Sequence, residues 1–399
     1  MNIFRVLYCR TFQTVLKLSI PILPYREPKI IEEDTKGIPD VLKACGSMHP
    51  LIVTDPGIRK NGLTVPLENV LASKGILCSI YGKVVANPTT DTVAAALELY
   101  KKDGCDSLIG IGGGSSMDTA KAVGARLARP KKTLSQMKGI LKVRKKLPLL
   151  IAIPTTAGTG SETTLAAVIV DSKTRHKYAI NDFPLIPRYA VLDPELTRSL
   201  PKSITATTGL DALTHAIEAY IGRSTYKRTR IQAKIAVRLI FWNLEKAYND
   251  GNDMKARAMM LKASYLAGCA FTKSYVGYVH AVAHSLGGAY NTPHGLANAV
   301  LLPHVLESYG KSIYGKLKKL AVSVGIADEF TSKKEAARLF IEAIKELEDK
   351  LSIPQKIDGI KVEDIPMMAR NADKEANPLY PVPVEMNAKE LEKFYYLVK

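Results

Sequence analysis

This chain is poor in the features that build several other protein classes. Its five cysteines, Cys9, Cys45, Cys78, Cys105 and Cys269, stand far apart with no C-x-x-C pair, which argues against a disulfide framework and a thiolate zinc site and suits a reducing cytoplasm. No apolar run reaches the roughly 20 residues that a bilayer-spanning helix needs. Acidic residues are also short, 38 against 56 basic ones, for a net charge of +18. Residues 129–146 hold eight Arg and Lys and no acid. With no aromatic interleaving and no nucleic-acid motif nearby, that run is expected to be a solvated surface, and a nucleic-acid partner is only a minor alternative. Acid is missing again from the first 26 residues, which contain Arg5, Arg10, Lys17 and Arg26. An organellar presequence has that composition. Here, however, Ser19-Ile-Pro-Ile-Leu-Pro-Tyr leads without a linker into an extended Pro28-Lys-Ile-Ile-Glu, so an amphipathic helix packed on the chain's own body is expected.

What is present reads as two domains in 399 residues. Up to about residue 200, short apolar runs alternate with helical patterns. Leu51-Ile-Val-Thr-Asp, Gly75-Ile-Leu-Cys-Ser-Ile, Ser107-Leu-Ile-Gly-Ile, Leu147-Pro-Leu-Leu-Ile-Ala-Ile and Ala166-Ala-Val-Ile-Val are expected as buried strands, with helices at 90–102 and 115–128. That alternation predicts an α/β domain with a mainly parallel sheet over residues 1–200, with 1–27 as an N-terminal extension. Helical periodicity dominates afterwards, at 207–221, 228–248, 254–271, 278–287, 333–350 and 387–397, so residues 201–399 are expected to be all-α.

Three segments of the first half carry chemistry. Gly110-Ile-Gly112-Gly113-Gly114-Ser115-Ser116-Met-Asp118 ends a strand in glycines and starts a helix. Free backbone amides and a positive dipole end are then available to a pyrophosphate. Ser115 occupies the sixth position of G-x-G-x-x-G, so the usual dinucleotide fingerprint is incomplete. Asp55 closes an earlier strand, where a carboxylate can accept from an adenosine ribose, but Asp55-Pro-Gly is equally an ordinary turn. Pro154-Thr155-Thr156-Ala-Gly-Thr-Gly-Ser-Glu162 places hydroxyls and glycines after another strand, either as a ligand edge or as a capped helix entry.

Imidazoles concentrate in the second half. Asp211-Ala-Leu-Thr-His215 and His280-Ala-Val-Ala-His284 each put two side chains four residues apart on one helical face, and His294 follows. Carboxylate with imidazole is the ligand set of a catalytic Fe(II) or Zn(II) centre. Spacing leaves open whether His280 or His284 coordinates, and does not exclude Glu218. His49, His176 and His304 are expected to be structural.

Taken in order, Gly112-Gly-Gly-Ser-Ser-Met-Asp-Thr-Ala-Lys121, the Pro154–Glu162 loop, Gly209-Leu-Asp-Ala-Leu-Thr-His-Ala-Ile-Glu-Ala-Tyr220 and His280-Ala-Val-Ala-His-Ser-Leu-Gly-Gly-Ala-Tyr-Asn-Thr-Pro-His-Gly295 resemble the iron-containing (group III) alcohol dehydrogenases from about residue 28 onward. The resemblance implies a dehydroquinate synthase-like fold, an α/β NAD(P)-binding domain followed by a helical one. It implies Asp211, His215, His280 and His294 as metal ligands and His284 as the histidine beside nicotinamide and substrate. Asp55, Asn87, Gly113, Gly114, Ser115, Asp118, Thr155, Thr156, Lys177 and Leu196 fall at its dinucleotide positions. Asp55 favours NAD over NADP, because NADP-preferring relatives usually carry a small residue there. A small alcohol or aldehyde substrate and a homodimer are expected by the same analogy, with neither nucleic acid nor membrane as partner.

The chain departs from the family pattern at Lys273-Ser274, where relatives generally have Asn-Ala, and at Tyr275. Lys273 is expected either to point into solvent or, with Tyr275, to narrow and charge the substrate entrance. The competing activity is that of a lyase or synthase of the same fold. Such enzymes use a different ligand pattern and phosphorylated substrates.

Overall fold

The computed structural model describes residues 2–31 and 34–399. Glu32, the end of the expected extended segment, lies outside the described residues. The chain divides into two compact units, Pro24–Ser199 and Met1–Leu23 together with Leu200–Lys399. The second therefore takes in α1 (Ile3–Ser19), which the expected 1–200 boundary assigned to the first. Its polar side explains the difference. Both Arg5 guanidinium nitrogens donate to Asp373, at 2.9 and 2.6 Å, and Gln13 Nε2 donates to Tyr380 O at 2.8 Å and to Glu385 Oε1 at 2.9 Å.

Among its described residues the α/β unit has nine strands: β1 (Lys29–Ile31), β2 (Pro50–Val53), β3 (Ser79–Tyr81), β4 (Ser107–Gly112), β5 (Gly139–Ile140), β6 (Leu149–Pro154), β7 (Ala166–Val170), β8 (Lys177–Asn181) and β9 (Tyr189–Val191). Its helices are α2 (Ile38–Ala44), α3 (Pro56–Lys60), α4 (Val65–Ser73), α5 (Thr90–Lys102), α6 (Gly114–Ala128) and α7 (Leu134–Met137). Six strands form one sheet in the order β1-β9-β6-β4-β2-β3, every pair parallel. Strands β5, β8 and β7 form a small second sheet, and β7 pairs antiparallel with β8. The large sheet is covered on both faces. Leu51, Val53 and Leu108 pack with Val93, Leu97 and Val123, whereas Ile52, Ile109 and Ile151 pack with Leu42, Leu67 and Leu71. Burial on both sides is why these strands read as unbroken apolar runs.

The chain order places the ligand edge. From β2 the chain crosses to β3 on one side, and from β4 it crosses to β6 on the other. This reversal opens a crevice at the carboxyl ends of β2 and β4, where open α/β sheets bind ligands.

The helical unit holds α8 (Lys202–Ile221), α9 (Lys227–Asn249), α10 (Met254–Ser274), α11 (Tyr278–Tyr290), α12 (His294–Tyr309), α13 (Tyr314–Val324), α14 (Lys333–Lys350), α15 (Ile365–Ala376) and α16 (Ala388–Val398). Helix α8 packs against α9, α10 and α12, and α11 packs against α12 and α15. Buried on almost every side, α8 forms the unit's central column. Gly209 lets α9 approach it, since a Cβ there would stand 2.3 Å from Leu244 Cδ1.

Candidate metal centre and nucleotide edge

Helices α8, α11 and α12 bring Asp211, His215, His280 and His294 together, with one ligand atom from each lying within 4.8 Å of all the others. Asp211 Oδ1 is the hub, 3.4 Å from His294 Nε2, 3.8 Å from His280 Nε2 and 3.9 Å from His215 Nδ1. Two donors at about 2.1 Å from a shared ion and at a tetrahedral angle would stand about 3.4 Å apart, so these separations fit one divalent ion.

His280 supplies a second observation. Its Nε2 is buried and makes no hydrogen bond, while its Nδ1 bonds Glu218 Oε2 at 2.6 Å. Glu218 also accepts from the backbone N–H of Gly277 at 2.8 Å and of Val279 at 2.9 Å. One carboxylate thus caps α11 and fixes the tautomer that turns a bare nitrogen toward Asp211. Burial, followed by the charges of His215, His294 and His284, pushes His280 well below the ordinary imidazole range, so it is neutral and its lone pair is available. Burial also pushes Glu218 up to about 7 against the pull of its hydrogen bonds.

The remaining neighbours hold the ligands in place. Asn298 Nδ2 donates to Asp211 Oδ1 at 2.7 Å and lies 3.1 Å from His294 Nε2. Phe271 stacks on His215 at 4.2 Å between ring centroids. Its spacing gave Asn298 a readable signal, since it stands one helical turn after His294. Glu375 gave none, because its partner is far away in sequence.

His284 stands apart from the four. Its ring stacks on His294 at 5.0 Å between centroids, and its Nδ1 bonds Glu375 Oε1 at 2.6 Å. Tyr380 donates to the same oxygen at 2.8 Å. Burial alone would raise the Glu375 carboxyl, but the charge and hydrogen bond of His284, with help from Tyr380, hold it below the ordinary carboxylate range. Lys273 does not point into solvent as one expectation had it. It is buried, at 7% exposure, near the end of α10, and Tyr275 follows with a left-handed φ of 63°.

In the α/β unit, Val53 of β2 pairs with Gly110 of β4, so the residues two further along each strand lie side by side. A Cβ on Gly112 would stand 2.6 Å from Ser116 Oγ and 3.4 Å from Asp55 Oδ2. Only glycine fits there, at a φ of 143°. Helix α6 starts at once with no side-chain cap and no acid in its first turn, leaving its N–H groups open to an anion. Thr155 N–H donates to Gly112 O at 3.1 Å, and Thr156 Oγ1 lies 3.8 Å from the position a Cβ on Gly113 would take. Asp55, the glycines, Ser115 and Thr155-Thr156 therefore line one sheet edge whose exposed amides and missing side chains fit a dinucleotide pyrophosphate. Asp55 also caps α3, accepting from Ile58 N–H at 3.0 Å.

Other expected nucleotide contacts have different surroundings. Lys177 Nζ donates to Asn87 Oδ1 at 2.7 Å, so these two meet each other. Leu196 packs into the apolar cluster around Ile52 and Ile109. The Asp118 carboxylate accepts from Ser161 Oγ at 2.8 Å and from Val168 N–H at 3.0 Å, in the loop after β6 and at β7. It braces the loop together with Lys121, whose buried ammonium donates to Ser161, Thr164 and Ala166.

A parallel sheet with a glycine-lined ligand edge and a carboxylate-imidazole cluster able to hold a divalent ion are the features that a nucleotide-linked, metal-dependent oxidoreductase requires. Residues 29–194 match the family model described as iron-containing alcohol dehydrogenase, and residues 205–397 match that of the family's C-terminal part. The 1,3-propanediol dehydrogenase of Citrobacter freundii is 39% identical over 357 residues, covering 88% of this chain and 92% of that protein. The NAD-dependent methanol dehydrogenase of Bacillus methanolicus is 37% identical, covering 83% and 87%. A crystal structure of a 1,3-propanediol oxidoreductase superposes with a TM-score of 0.90 at 36% identity, covering 94% of this chain and 99% of the other. The chain belongs to the iron-containing alcohol dehydrogenase family, with the dehydroquinate synthase-like fold its sequence motifs imply.

Proposed function

We propose that this protein transfers a hydride between a small primary alcohol or its aldehyde and NAD, at a centre holding Fe(II) or Zn(II). The observation that carries the reading is the convergence of Asp211, His215, His280 and His294, with the bare Nε2 of His280 among them. Such an ion supplies Lewis acidity toward an alcohol or carbonyl oxygen, and the nicotinamide supplies the hydride acceptor. Asp211 offsets part of the ion's charge, while Glu218 and Asn298 keep His280 and Asp211 oriented. His284, its Nδ1 held by Glu375, presents Nε2 for proton exchange with substrate or for orienting it. The glycine amides, Ser115 and Thr155-Thr156 receive the pyrophosphate, and the carboxylate of Asp55 accepts from the ribose and repels a 2′-phosphate. Small primary alcohols are favoured because the named relatives are a propanediol and a methanol dehydrogenase. A homodimer in a reducing, cytoplasmic setting completes the proposal.

The test is an anaerobic panel of primary alcohols with NAD or NADP, run on protein stripped of metal and reloaded with Fe(II) or Zn(II). Activity should return only with metal and run faster with NAD, and Asp55→Ser should erode that preference. Undiminished alcohol oxidation by chelator-treated protein would falsify the proposal. Butanal and succinic semialdehyde belong in the panel, with Lys273→Met alongside, because a buried ammonium favours an acidic substrate only if it reaches the site. An unchanged ratio of kcat/KM for the two would remove Lys273 from substrate selection.

A further inference from the structure

Helix α1 is mounted the opposite way round from an ordinary surface helix, which buries its apolar stripe and shows its polar one. Here the polar side is docked. Arg5 grips Asp373, Arg10 donates to Val382 O at 2.6 Å and Pro383 O at 3.0 Å, and Gln13 bonds Tyr380 and Glu385. The apolar stripe faces outward. Phe4, Leu7, Tyr8, Val15 and Leu18, with Ile22 just beyond the helix, are 60–84% exposed. Their spacing of three, four and seven residues lines them along one face. A contiguous apolar stripe of this size on a folded surface marks a contact with something.

Charge indicates what kind of contact. The helix has no acidic residue, and Lys17 near its end is exposed. The ammonium of Lys316 is pushed down to about 8, by burial and then by the neighbouring charges of Arg230, Arg223 and Lys17. These cations therefore share one neighbourhood beside α1, and Arg223 and Arg230 are exposed there. A second copy of this chain would bring a like-charged rim against this one. A surface carrying fixed negative charge would be attracted instead.

We propose that the outward face of α1 adsorbs onto an anionic lipid surface, with its apolar residues entering the headgroup boundary and Lys17, Arg223 and Arg230 meeting lipid phosphates. Such adsorption needs no spanning segment, and no described helix is long and apolar enough to be one.

The experiment is cosedimentation of the full chain with phosphatidylcholine vesicles, with and without phosphatidylglycerol. Binding should require the anionic lipid and weaken with salt. Phe4→Ser/Leu7→Ser/Leu18→Ser should abolish it while leaving the thermal melt unchanged, since all three side chains already face solvent. Lys17→Gln/Arg230→Gln should weaken it by roughly thirtyfold, the effect of losing about two surface cations. Failure to bind either vesicle, or binding untouched by the serine substitutions, would overturn the proposal. So would a concentration-dependent dimer that the serine substitutions dissociate, without vesicle binding, because the face would then be a self-association surface.

Discussion

Glu218 holds three donors at once, the two amides that open α11 and His280 Nδ1. Removing such a partner of a ligating histidine typically costs 10–100-fold in metal affinity. Glu218→Ala is expected to weaken Fe(II) or Zn(II) binding by about that factor in a chelator competition, and Glu218→Gln to restore part of it through its amide oxygen. Equal affinity in all three proteins would show that His280 is oriented by packing alone. The ligand spacings were legible in the sequence, but only the family resemblance, not spacing, made the choice between His280 and His284. That choice turns on which carboxylate holds each Nδ1, Glu218 or Glu375, and those contacts cross 62 and 91 positions. Glu348, on α14, yields a pH test. Burial pushes its carboxyl up to about 8 from an ordinary 4.5. Between those values the folded chain keeps a proton that the unfolded chain has released, so stability falls as pH rises through the window and levels off above it. Glu348→Gln should therefore melt like the parent near pH 4.5 and some degrees higher at pH 8. A gain of equal size at both pH values would assign the effect to something other than ionisation.

The elements around the centre meet through glycines whose purpose no periodicity reveals. Gly295 follows His294 in the first turn of α12, and a Cβ there would stand 2.4 Å from the backbone oxygen of Thr207 on α8. Backbone cannot rotate away as a side chain can. Gly295→Ala must push α12 from α8 and carry His294 away from Asp211, at an overpacking cost of about 1–3 kcal/mol. Gly288, inside α11, would meet nothing within 4 Å. Gly288→Ala is expected to be neutral or stabilising by up to about 1 kcal/mol through helix propensity. Thermal melts and metal retention should separate the pair, with only Gly295→Ala losing both, and a metal-replete Gly295→Ala melting like the parent would refute the close-approach reading. Helix α12 itself escaped the sequence pattern, because Pro303 interrupts it and apolar residues occupy most of its faces. Strand β3 was expected to begin at Gly75 but starts at Ser79, since Gly75 takes a left-handed turn at φ 70°.

For the whole chain, the alternation of strand and helix and then the long helical run made the bipartite plan readable. Two relations needed three dimensions. Asp55 precedes the glycine loop by more than fifty positions, and only the pairing of β2 with β4 sets them side by side. The N-terminal helix precedes the α/β unit in sequence, yet its bonds run to residues more than 360 positions away. The metal centre is likewise assembled from α8, α11 and α12, so an ion held there adds to the packing and to the hydrogen bonds of Glu218 and Asn298 that already join these helices. Binding to the folded chain alone stabilises it by mass action, by about 2.7 kcal/mol when free metal exceeds Kd a hundredfold. Stripped protein should keep its helical circular dichroism but melt several degrees lower, and added Zn(II) should restore the melting temperature in step with its concentration. In Asp211→Ala the hub oxygen is gone, and the metal-dependent rise should vanish. A melt that ignores metal in the parent, or follows it equally in Asp211→Ala, would mean that the four residues do not share an ion.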